Sequence, residues 1–175
     1  MRTMSDLKEF ALILIAALLA PVGPTQAQDL HPPPGSRLVI DNVVPLHGAK
    51  VLMNMDHDAF SGRLPTGLYY MELLLANYQG SNVPLEIVAI LHDKGAYLAL
   101  NDTAYNGYRH TDTGNPWKGT IADLQKAGVA FELCAYTAYN NGWLNADLLP
   151  GVKVDNDVLL RLIDLTQQGY VQIQP

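Results

Sequence analysis

The chain has 175 residues and a formal net charge of −6, with 11 basic residues scattered singly among 17 acidic ones. That balance excludes an electrostatic footprint for nucleic acid or anionic lipid. A hydrophobic content of 49% with 16% charged residues is that of a globular domain, and a single cysteine, Cys134, rules out an intramolecular disulfide.

Residues 1–27 open with Arg2 and Lys8 in a short charged lead. An apolar stretch over 11–20 follows, and then a segment ending in Thr25-Gln26-Ala27. This is the order of a secretory signal peptide, with small residues placed for cleavage before Gln28. The apolar core is about half the roughly 20 residues that a membrane span requires, so cleavage is expected and anchoring is not. The expected product is a periplasmic protein with no membrane contact. Cleavage removes Asp6 and Glu9 with Arg2 and Lys8, so the net charge stays at −6. Residues 28–47, with Pro32, Pro33 and Pro34, read as an extended N-terminal segment in which 37–44 could add an edge strand. Residues 48–175 read as one domain.

From Lys50 onward, short apolar runs alternate with segments of helical period, the pattern of a parallel sheet with helices on its faces. A strand over 50–55 precedes a helix over 66–78, where Leu68, Met71, Leu74, Leu75 and Tyr78 recur at helical spacing behind Pro65. The run 85–91 is almost continuously apolar and reads as the central strand, buried on both faces. Asn115 and Pro116 cap a helix with Trp117, Ile121 and Leu124 on its stripe, and Gly128 ends it just before a strand over 129–134. A strand over 151–154 comes next. The helix over 156–168 carries Val158, Leu159, Leu162, Ile163 and Leu165 on one side, and a strand over 170–173 closes the chain. Five strands with helical connections predict a three-layer α/β/α sandwich around a parallel sheet. Residues 101–114 and 135–149 are the least regular connections and are expected to be loops.

Ligands of open parallel sheets bind outside the carboxyl ends of the strands. Those ends deliver Asp56, His57 and Asp58; His92, Asp93 and Lys94; Cys134 and Tyr136; and Asp155. A thiol at the Cys134 position is either a reactive group or a small apolar one that packs. His92, directly after the most buried strand, could serve it as a proton shuttle or stabilise its anion. Met53, Met55 and His57 with Cys134 are copper-type donors, but alternation puts the two methionines on one face, most simply as core. No cofactor and no metal are expected. Tyr105, Tyr108, Arg109, His110 and Trp117 read as a solvated loop plus a core tryptophan, with a pocket or subunit contact as the alternative. Nucleophile elbow, P-loop, dinucleotide fingerprint and metalloprotease helix are all missing.

Several stretches in order resemble the DsrE/DsrF-like family over about residues 48–174: Ile90-Leu91-His92, then 96–102, 115–134 and 147–154, and finally Arg161-Leu162 with Gln168-Gly169-Tyr170. The likeness is to the exported, signal-bearing branch. It implies a five-stranded three-layer sandwich and homo-oligomers, often trimers or hexamers. Cytoplasmic relatives relay sulfur as a persulfide on a cysteine after the strand that 129–133 matches, so Cys134 inherits the role of sulfur carrier. Many relatives have glycine next, where this chain has Ala135. His92 falls on a histidine common in the exported branch. The expected partners are a second copy of the chain and a sulfur donor or acceptor protein. The alternative is a non-catalytic homo-oligomeric module that binds a small ligand, with Cys134 inert in its core.

Overall fold

The computed structural model describes Gly35 and residues 37–175. The expected signal segment and the proline tract lie outside the described residues. Residues 37–48 are irregular, with Val39, Val43 and Val44 exposed, so no edge strand forms over 37–44.

In chain order the elements are β1 (Ala49–Met55), a small hairpin of β2 (Phe60–Ser61) and β3 (Leu64–Pro65), α1 (Thr66–Tyr78), β4 (Leu85–Leu91), α2 (Asp102–Arg109), α3 (Lys118–Lys126), β5 (Ala130–Cys134), α4 (Ala135–Asn140), β6 (Lys153–Asp155), α5 (Val158–Gln167) and β7 (Val171–Ile173). Short 3-10 helices cover Asp93–Ala99 and Asn145–Asp147. Five strands form one sheet in the order β6-β5-β4-β1-β7, every pairing parallel, with β4 in the middle as its apolar run predicts.

The strand order decides which face each helix covers. From β1 through β4 and β5 to β6 the chain moves outward in one direction, and right-handed crossovers keep its helices on one side. There Leu68 and Met71 of α1, Ile121 and Leu124 of α3, and Ala138 of α4 pack on Val51, Met53, Met55, Ile87, Ala89, Leu91, Phe131 and Leu133. The last crossover reverses direction to place β7 beside β1, so among the described residues α5 alone covers the other side. On that face the core is only Leu52, Val88, Ile90 and Leu165, joined by Val158, Leu162, Ala130 and Tyr170.

Two expected loops are largely helical. Residues 101–114 hold α2, because Asn101 caps it: its side chain accepts from the Ala104 N–H at 3.0 Å, and His110 ends the helix in the left-handed region at φ 53°. Residues 135–149 hold α4 and a 3-10 turn. Both helices are under three turns, too short to show a hydrophobic period. The expected apolar side of α5 also splits. Val158, Leu162 and Leu165 face the sheet, whereas Leu159, Leu160 and Ile163 are exposed.

Candidate functional site

Side chains alternate along a strand, so the inward-pointing set of β5 divides in two. Phe131 and Leu133 enter the larger core, which leaves Glu132 and Cys134 on the α5 face. Cys134 pairs with Asp155 of β6, and paired residues of a parallel ladder point to the same side. On the other flank Leu91 pairs with Leu133, so His92 follows β4 at the level of Cys134. The register therefore lines up His92, Cys134 and Asp155 on one face, at the carboxyl end of three adjacent strands. Cys134 is 1% exposed and is a free thiol.

His92 is held by the end of β1. Its N–H donates to the Met55 carbonyl at 3.1 Å, and the following 3-10 turn lies so close that a Cβ on Gly95 would come within 2.4 Å of the same oxygen. Only glycine permits that approach. His92 Nε2 meets Asn54 Oδ1 at 2.8 Å, and Asn54 Nδ2 donates to Gln174 Oε1 at 2.8 Å. With Asn54 so oriented, Nε2 carries the proton and Nδ1 is the basic nitrogen. Burial pushes the imidazole below its ordinary pKa despite the opposing pull of Asp56 and Asp93, so His92 is neutral at neutral pH. The chain Gln174–Asn54–His92 spans the point where strand order reverses, between β7 and β1.

Asp155 has the most perturbed carboxyl. Burial and then repulsion from Glu132 push it up to about 6, against the attraction of Arg161. Its Oδ1 and Oδ2 are both screened from solvent without a hydrogen-bond partner; the Asp157 N–H exerts some pull but does not reach hydrogen-bonding geometry. Glu132, by contrast, is fully served. Arg161 of α5 grips it in a bidentate fork, Nε to Oε2 at 2.7 Å and Nη2 to Oε1 at 2.8 Å, and gives Nη1 to Asp164 at 2.5 Å.

The other expected residues lie elsewhere. Asp56 pairs with its neighbour His57; burial raises its pKa, but hydrogen bonds with His57 and Gln174 outweigh that and hold it low. Asp58 turns to Arg109 at 3.3 Å on the α2 side. Arg109 lies 4.5 Å over the Tyr97 ring, and Tyr97 also contacts Tyr105, Tyr108 and Trp117 at centroid distances of 6.0, 6.3 and 5.8 Å. Tyr105, Tyr108 and Trp117 thus gather around Tyr97, while Tyr108, Arg109 and His110 remain exposed at the end of α2. Met53 and Met55 are buried in the larger core, across the sheet from Cys134, so the copper-type donors are not brought together. Among the described residues no group of three His, Cys, Asp or Glu side chains is arranged for a metal ion, and no helix is long and apolar enough to cross a membrane.

Asn54, Gln174 and Glu132 are not candidates in the sequence, and Arg161 enters there only within the stretch that carries the family resemblance. Asn54 and Glu132 did carry a signal, each being the polar residue that interrupts a buried apolar strand.

A family model described as the DsrE/DsrF-like family matches residues 50–175. The chain belongs to the DsrE/DsrF-like family. Among solved structures, a protein of unknown function from Methanobacterium thermoautotrophicum is similar at 23% identity with a TM-score of 0.56, covering 73% of this chain and 99% of its own. That likeness carries the DsrE-like fold and nothing of its chemistry. No functionally curated protein matches the chain.

Proposed function

We propose that this DsrE/DsrF-like protein carries sulfane sulfur as a persulfide on Cys134. The observation that supports the reading is the alignment of Cys134 with His92 and Asp155 on one face at the carboxyl ends of β5, β4 and β6. The outer sulfur of a persulfide donor R–S–SH is attacked by the Cys134 sulfur. The new Sγ–S bond forms as the R–S bond to the outer sulfur breaks, and the departing R–S⁻ takes up a proton. Transfer to an acceptor thiol is the same exchange in reverse, with no net oxidation. His92 stays neutral with Nε2–H committed to Asn54, so it places no cation beside the persulfide anion.

Export through residues 1–27 would put this carrier in the periplasm, where its donor and acceptor must also be found. Homo-oligomerisation belongs to the same reading, because Leu159, Leu160 and Ile163 of α5 are 66%, 56% and 54% exposed. Mass spectrometry of the folded protein after polysulfide treatment is expected to show an increment of about 32 Da on Cys134, absent in Cys134→Ser. A native protein that takes up no such sulfur refutes the carrier.

The second reading, a non-catalytic binding module, draws on the burial of Cys134 and on a groove of about 560 Å³ between α1 and α3. Leu75, Val83, Leu85 and Leu124 line it together with Glu72 and Asp123, at the opposite end of β4 from Cys134. Under this reading Cys134→Ser leaves ligand binding and phenotype unchanged.

A further inference from the structure

We propose that Asp155 is the proton partner of Cys134, taking the thiol proton as the sulfur attacks and returning it as the sulfur leaves. The inference deepens the sulfur-carrier reading and rests on it.

A thiol that is 1% exposed has almost no water to receive its proton, so its ionisation needs a resident acceptor. The register supplies one, since Asp155 is the cross-strand partner of Cys134 on the same face. Buried polar atoms in folded proteins are rarely left unpaired, yet both oxygens of Asp155 are. The charged neighbours explain why nothing else satisfies them. From β5, Glu132 is itself an acceptor. From α5, Arg161 has spent its fork on Glu132 and Asp164, and the Asp157 carboxylate caps the helix by accepting from the Leu159 N–H at 2.7 Å. From β4, His92 has committed Nε2–H to Asn54, and Lys153 on β6 itself is exposed. An acceptor without a donor therefore lies beside a donor without an acceptor.

No hydrogen bond joins the two in this structure, so the proton crosses only as the sulfur attacks. Asp155 accepts it from Sγ–H while the Sγ–S bond to the donor's outer sulfur forms, and the protonated carboxyl then gives it to the departing R–S⁻. The push of burial and Glu132 toward about 6 makes this carboxylate a stronger base than an ordinary one and eases the transfer.

The test is the rate of Cys134 alkylation by iodoacetamide, followed by intact mass from about pH 5 to about pH 9, in wild type, Asp155→Asn, Asp155→Glu and His92→Gln. Expected is a wild-type limb that persists below neutral pH, restored in Asp155→Glu. Asp155→Asn should instead follow thiol ionisation alone and run about tenfold slower near pH 6.5, converging with wild type near pH 9. A solvent deuterium effect on the wild-type rate near pH 6.5, expected at about twofold or more, tests the proton transfer without any variant. Coincident profiles, loss in His92→Gln instead, an unreactive native Cys134 or no isotope effect would each overturn the assignment. Polysulfide loading in parallel separates the two proposals: an adduct that forms with an Asp155-independent profile refutes only the proton partner, and an Asp155-dependent profile without an adduct refutes only the carrier.

Discussion

Asp155 titrates against its surroundings, and the sign of its effect on stability follows from that. Its pKa is raised from 3.8 to about 6, so between those values the folded chain holds a proton that the unfolded chain has lost. Its contribution is favourable below about pH 4 and is lost as pH rises through about 6. Asp155→Asn cannot ionise and escapes that loss. Its stability relative to wild type is expected to improve by about 1–2 kcal/mol on going from about pH 4 to about pH 7.5, solvent screening of a half-buried carboxylate included. Urea denaturation at the two pH values reads this directly. A difference that does not move with pH would mean that Asp155 has a donor in solution.

Among the elements, α5 depends most on one polar tie. Its apolar contribution is limited to Val158, Leu162 and Leu165, and full burial of a side chain such as Leu165 is worth about 1.5–3 kcal/mol. The Arg161–Glu132 fork fixes the helix laterally across β5. Removing one member of a buried pair leaves the other charge uncompensated, and Glu132 is only 7% exposed with the Asp155 carboxylate nearby. Arg161→Met is therefore expected to destabilise the fold by about 3–5 kcal/mol. The double variant with Glu132→Leu should recover most of that loss. Thermal unfolding of the single and double variants checks it; equal losses in both would show that the fork contributes only packing.

For the whole molecule, the unequal clothing of the sheet is the governing feature. Among the described residues, one face carries α1, α3 and α4, and the other carries α5 alone, with Leu159, Leu160 and Ile163 turned outward. An apolar helix face of this kind in a domain of low charge density favours association. Under the oligomer proposed above, Leu160→Asp with Ile163→Asp is expected to convert an assembled species to monomer in sedimentation velocity while the far-UV spectrum is retained. A wild-type chain that sediments as a monomer would remove the proposal.

The amino-acid sequence by itself determined the order and type of the long elements. Apolar runs such as 85–91 and helical spacing such as that of Leu68, Met71 and Leu75 are local consequences of what each segment must bury. The ordered motifs also carried the family, and the candidate thiol followed from the end of a strand. Short helices escaped, because the six residues of α4 are too few to display a period. The split of α5 escaped as well, since spacing names an apolar stripe but not how much of it finds a sheet beneath. Only the tertiary structure decided strand order, and with it the company Cys134 keeps. Residues 92, 134 and 155 are far apart in the chain, and they become neighbours because β4, β5 and β6 pair in one register. Pairing of distant strands is set by the cooperative burial of the entire sheet, which no local window of sequence encodes.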